Sequence, residues 1–355
     1  MRRNCIIFLC TMILVLSHTS KTVIVGSDST PSRQALISFP AADSNNEMRG
    51  FAAFDAGFTL ATSATACLFN SLLPVGGTIT LNNGTLNLAK KLFLTSKTIF
   101  SGGGTINGNG LSFDLPYKNS PLSISSAVIF NNITLNINSD ITLTALLTFN
   151  GTCFINGNGN TVICSSGGKL AVGTGATVML NNIVLKSISA GKVYCVNSAG
   201  TLGLSDVKWI QDGAYSFTQG RMSINNKVLM TGAQIFTYQS NQTTPINSQA
   251  LWQFDAGMTF SYAPTSSSNS LISLQDSTSK IHLYETDLYT TTTALQFTKG
   301  QVIIEGTCPV VSRATVAAQG IWFGDGSSSG NNVDLKILND SGLQVNNGFV
   351  VNANV

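Results

Sequence analysis

Charge is scarce in this chain, and glutamate most of all among the charged residues. Glutamate occurs three times in 355 residues (Glu47, Glu285, Glu305), and charged residues together make up 10% of the sequence, against roughly 25% in an average soluble protein. A helical bundle or coiled coil needs charged, helix-favouring residues along its exposed faces, so this scarcity excludes one. The formal net charge of +3 comes without any basic run. That leaves nucleic acid little to hold, and no nucleic-acid partner is expected. There is no Cys-x-x-Cys, no Asp-Asp and no Gly-His-Gly. What fills the chain instead is 40 Ser, 38 Thr, 33 Asn and 33 Gly, 144 positions of 355. With 43% hydrophobic residues, enough to exclude wholesale disorder, this composition points to an exported all-β protein.

The start of the chain agrees with export. Met1-Arg2-Arg3-Asn4 precedes an apolar run from Cys5 to Leu16, and Ser17-His18-Thr19-Ser20 follows. A basic start, an apolar stretch and a small-residue zone make residues 1–20 a secretory signal peptide. The rival reading is a membrane anchor, but the twelve residues from Cys5 to Leu16 span only about 18 Å of helix, short of a ~30 Å hydrocarbon core. No later segment is apolar for 18 residues, so no transmembrane segment is expected after cleavage. Cleavage would leave Cys67, Cys153, Cys164, Cys195 and Cys308. Two readings of these stay open: an extracellular disulfide framework, and, favoured, small buried hydrophobes in apolar strand runs.

From Gly76 onward the dominant signal is alternation. Thr78-Ile79-Thr80-Leu81, Thr85-Leu86-Asn87-Leu88, Ile133 to Ile137 and Ile141 to Thr144 each read in-out-in-out. Self-comparison adds a second signal. Phe100 to Gly110, ending Ile106-Asn107-Gly108-Asn109-Gly110, recurs at Phe149 to Gly159, 49 positions later. Val128 to Leu135 recurs as Val178 to Leu185 after 50, and a weaker copy begins at Leu204. Phe217-Thr218-x-Gly220 and Ile224 recur as Phe297-Thr298-x-Gly300 and Ile304 after 80. These offsets fit irregular coils of about 20–25 residues, so the predicted fold is all-β: a right-handed parallel β-helix over residues 51–355. Ile106 and Ile155, and likewise Val128 and Val178, are expected at equivalent inward positions two coils apart. Asn131-Asn132 and Asn181-Asn182 are expected to stack as amide ladders. Residues 21–50 read as a leader or linker. Ser63 to Leu72 reads as a short amphipathic capping helix. Phe54-Asp55-Ala56-Gly57 matches Phe254-Asp255-Ala256-Gly257, which marks a soft boundary near residue 245. The stretches 239–249 and 264–269 are expected to protrude as loops. Residues 333–355 look strand-like without a cap, so end-to-end self-association is expected there.

With these repeats, the chain resembles right-handed parallel β-helix proteins of the pectin-lyase-like group. It is most similar to exported, Asn/Gly/Thr-rich bacterial surface proteins such as autotransporter passenger domains and polymorphic outer-membrane proteins. The resemblance is architectural and departs from those families in two respects. Repeat-like sequence runs to Val355 in place of the alternating strands of a membrane barrel, and Gly-Gly-Ala followed by an aliphatic residue is absent. Gly104-Thr105-Ile106-Asn107-Gly108-Asn109-Gly110 is also similar to a scaffold turn of β-helical polygalacturonases.

Polysaccharide-cleaving relatives of such a fold would need two carboxylates a few ångströms apart, or an acidic calcium site with a basic residue. Arg221 and Arg313 have no acid in their own strands, and Asp206 aligns with the amide Asn182. His282-x-x-Glu285-x-Asp287 is the best remaining candidate, with 285 and 287 on one strand face about 7 Å apart. A solvated outer face is the favoured reading of it. Asp325 and Asp334 lack a calcium-loop pattern. Tyr284, Tyr289, Trp252 and Trp322 could form a sugar-stacking strip, although core or corner positions are favoured. No catalytic, metal or cofactor residue is therefore assigned. The expected function is an exported, non-enzymatic, adhesin-like solenoid at the cell surface or secreted, presenting loops to a host or cell-surface glycan or protein. A polysaccharide-active enzyme is the alternative, and an envelope component stacking end to end is a third reading.

Overall fold

The computed structural model describes residues 57–59, 65–68, 78–88, 91–93, 99–115, 123–124 and 126–355, apart from 267, 292, 313–319, 327–331, 339, 346–347 and 353–354. The signal peptide expected over 1–20 and the leader over 21–50 lie outside these residues. Every element described is a β-strand, and strands pair in parallel with the coil before and the coil after. The chain is a parallel β-solenoid with three strand-bearing faces. One coil shows the plan. Val128–Asn131 lies on the first face, Thr134–Asn136 on the second and Ile141–Leu143 on the third. Leu146–Asn150 then returns to the first face, beside Val128–Asn131.

Alternation builds the core. On the first face Leu86, Ile106, Phe130, Phe149, Val172 and Cys195 follow one another coil by coil. On the second, Phe113, Leu135, Ile155, Leu180, Leu204, Ile224, Ile246 and Leu274 do the same. On the third, Trp209, Met230, Phe254, Leu283 and Ile304 form a column. All of these are buried, and each such side chain contributes roughly 1.5–3 kcal/mol by leaving water. The strand Thr244–Ile246 pairs with a neighbour on each side, so pairing continues across residue 245.

The repeats themselves land differently from expectation. Ile106 pairs with Phe130 on the first face, whereas Ile155 pairs with Leu135 on the second. Val128 pairs with Leu147 on the first face, whereas Val178 pairs with Cys153 on the second. Both members of each pair point inward, but they are not equivalent, being two coils and one further face apart. The reason is that the repeat is a corner and not a coil. Gly108 N donates to Asn131 O at 2.8 Å and Gly110 N to Asn132 O at 2.7 Å, at the corner between first and second faces. Gly157 N donates to Asn181 O at 2.8 Å and Gly159 N to Asn182 O at 2.8 Å, at the corner between second and third. The same Gly-Asn-Gly over Asn-Asn unit serves two corners. Asn109, Asn132, Asn158 and Asn182 all take φ near 50°, the left-handed region that asparagine tolerates better than most residues. At the second corner the strand does not break: Thr177–Ile188 runs through Asn182, and Thr201–Gln211 through Asp206. Those strands, 12 and 11 residues long, each serve two faces.

Amide ladders are present, in separate columns. Asn131 donates to Asn107 and Asn107 to Asn87, each at 2.6 Å. Asn156 donates to Asn136 at 2.8 Å, and Asn136 to Asp114 at 2.6 Å. Asn131 and Asn181 belong to different columns, again because of the face shift. Cys153, Cys164, Cys195 and Cys308 are buried free thiols, so for these four the disulfide reading gives way to the hydrophobic one. Of the stretch 63–72 expected as a helix, the described part, Thr65–Leu68, is a strand paired with Thr85–Leu88. Four residues can satisfy both periods, and pairing with an existing strand decides between them. The rest of that stretch lies outside the described residues. No helix among the described residues is long and apolar enough to cross a membrane.

Candidate binding surface

The charged residues singled out from sequence are dispersed. His282 Nε2 lies 2.9 Å from Glu305 Oε2, one coil along the third face, and not against Glu285. Glu285 sits at the corner after the strand Lys280–Tyr284, with φ of 43°. Its stem lies across Gly306, where a Cβ would meet Glu285 Cγ at 2.4 Å. Asp287 opens the next strand, Asp287–Thr290, on the first face. A corner therefore separates the two acids that alternation would place on one strand face. Asp206 does align with Asn182, and its Oδ2 accepts from Asn226 Nδ2 at 2.9 Å. Asp334 pairs with Lys336 at 3.0 Å, while Asp325 is exposed in the turn after Ile321–Phe323. No three His, Cys, Asp or Glu side chains come together among the described residues.

The aromatic strip does not form. Trp252 is wholly buried among Phe236, Phe254 and Phe260. Tyr284 is on the third face, Tyr289 on the first, and Trp322 on the strand Ile321–Phe323.

What the coil does assemble is a stack of loops at one corner, between the first and second faces. Residues 239–243, 263–271 and 291–294 carry no charged side chain and, apart from Ala263, Pro264, Leu271 and Ala294, consist of Ser, Thr, Asn and Gln. The first two of these loops are pinned from beneath. Phe217, Tyr238 and Tyr262 stack on successive coils, with centroids 6.2 and 6.1 Å apart and the tyrosine rings within 5° of parallel. Tyr238 OH donates to the Gln242 carbonyl and receives Thr244 Oγ1 at 3.2 Å. Tyr262 OH donates to Ser268 O at 2.9 Å and receives Leu271 N at 3.3 Å. Burial pushes both phenols above their ordinary range, so they remain donors at neutral pH.

Between loops the contacts are direct. Asn241 Nδ2 donates to Thr265 Oγ1 at 2.6 Å, and Ser266 N donates to Asn241 Oδ1 at 2.9 Å. The first loop was legible as a protrusion, although its second half is strand Thr244–Ile246 and a turn. The pinning was not, and its signal is the 24-residue, one-coil spacing of Tyr238 and Tyr262. Neutral, cross-linked by hydrogen bonds and rich in donors and acceptors, this corner suits a ligand that offers hydroxyl or amide groups and no charge. No protein-family model matches the chain, and no curated protein or solved structure matches it.

Proposed function

We propose that this chain is an exported, non-enzymatic β-solenoid that binds a neutral glycan on a host or cell surface through the stacked loops 239–243 and 263–271. The observation that carries the reading is a charge-free loop pair held in one arrangement by buried tyrosines, because prior ordering removes entropy that binding would otherwise cost. The resemblance to bacterial surface solenoids of the pectin-lyase-like group supports the exported setting, as does the signal-like start of the chain. The dispersed carboxylates support a binding role over glycosidic cleavage, which needs two acids across one bond.

The test is a panel of neutral, sialylated and sulfated oligosaccharides at low and high salt. Binding to a neutral member, insensitive to salt, and at least tenfold weaker in Asn241→Ala/Thr265→Val with unchanged Tm, is the expected result. Binding confined to acidic members and lost at high salt would overturn it. So would cleavage of a polysaccharide by pure protein that disappears in Glu285→Ala/Asp287→Ala.

A further inference from the structure

The last described coil is paired, among the described residues, along one edge only. Its strands, Val333–Ile337, Gly342–Val345 and Phe349–Val351, pair only with the coil before; no strand among the described residues occupies their outer edges. Ile337, Leu338, Phe349, Val351 and Val355 make up five of the nine exposed large hydrophobics found among the described residues. Apolar exposure is thus concentrated at this end of the stack. Along Val333–Ile337 the exposure rises from 2% at Val333 to 49% at Ile337.

The strand reads Val-Asp-Leu-Lys-Ile, and this order is self-complementary. A two-fold axis through Leu335 would pair the strand with its copy antiparallel. Asp334 would then face Lys336 of the second copy, Lys336 would face Asp334, and the apolar positions would meet each other. Parallel, head-to-tail stacking offers no such match: Gly57–Thr59 and Thr78–Thr80, at the other end of the same face, hold no charge. We infer that the chain forms a closed, tail-to-tail dimer by antiparallel pairing of Val333–Ile337 about Leu335. A symmetric contact of this kind uses one patch twice and does not propagate into fibres.

Sedimentation of the full chain and its charge variants tests this. The wild type should be a dimer at micromolar concentration. Asp334→Lys and Lys336→Asp, each placing like charges opposite one another, should weaken it at least about tenfold. The double exchange Asp334→Lys/Lys336→Asp restores opposite charges and should restore the dimer, with the β-type circular dichroism of all variants checking that each is folded. Leu335→Cys should crosslink to a covalent dimer under mild oxidation. A wild type that stays monomeric, oligomers that grow without limit, or a double exchange no better than the single ones would overturn the proposal.

Discussion

Glycine at the shared corner has no room for a side chain. A Cβ on Gly157 would lie 2.5 Å from both Asn182 O and Ile183 Cβ, and one on Gly108 would lie 2.5 Å from Ile133 Cβ and 2.6 Å from Asn132 O. Alanine at either should therefore destabilise by a similar amount, about 1–3 kcal/mol from forced displacement of backbone and core. Gly110→Ala meets nothing within 4 Å but sits at φ 77°, so its cost should be only the left-handed strain of about 1–2 kcal/mol. Urea midpoints of the three variants decide this, and unequal costs at 108 and 157 would sink the idea of one unit at two corners. The buried thiols carry a pH prediction. Burial pushes Cys164 and Cys195 from 9.0 up to about 12. Above pH 9 the unfolded chain loses these protons while the folded chain keeps them. Stability is then full below pH 9 and declines towards pH 12, by about 1.4 kcal/mol per pH unit for each thiol. Replacing both by alanine should flatten that slope in denaturation midpoints measured between pH 8 and 11.

At the scale of an element, the amide ladder has direction. Each amide passes its Nδ2 hydrogen to the oxygen one coil earlier, so only the first member can do without a donor. Asp114 holds that place in its column, accepting from Asn136 and pairing with Lys91 at 2.8 Å. Asp114→Asn should be nearly silent. Asn136→Asp should cost more, about 1–3 kcal/mol, since it removes a donor and leaves two buried or half-buried acceptors in contact. Equal melting temperatures for the two variants would contradict a directional ladder. The corner loops make a companion case. Tyr238→Phe removes the hydroxyl that joins Gln242 O and Thr244 Oγ1, a loss of about 1 kcal/mol. Amide exchange in 240–243 should quicken while exchange in the neighbouring strands holds.

For the whole molecule, stability is a sum of coils and the contacts between adjacent ones. A coil in the middle is held on both sides, and the last described coil on one. In the charge-repelled Asp334→Lys variant, amides of Val333–Ile337 and Phe349–Val351 should exchange well before those of Thr177–Ile188 and Thr201–Gln211. Uniform protection from end to end would mean that the rod unfolds as one unit. Glu285→Ala/Asp287→Ala should leave stability within about 0.5 kcal/mol of wild type, as surface changes away from buried networks do.

Alternation of inward and outward residues, the Asn and Gly of the corners, and the shortage of charge were enough to name a parallel all-β solenoid from sequence. Each of these is a local property: period two belongs to an extended strand, and a left-handed turn to an asparagine or glycine whatever lies beyond it. Which face a repeat occupies is not local. Ile106 precedes Phe130 by 24 residues and Phe130 precedes Phe149 by 19, while Val302 precedes Leu335 by 33. With coils of such unequal length, an offset of 49 does not tell two coils from two coils plus a strand. Hydrogen bonds between coils settle the matter, and they join residues as far as 36 positions apart, as Gly342 N to Gly306 O does. The same holds for function. Loops at 239–249 and 264–269 were expected from the chain, but the stacked tyrosines beneath them, and the corner that parts Glu285 from Asp287, exist only once the coils are laid one on another.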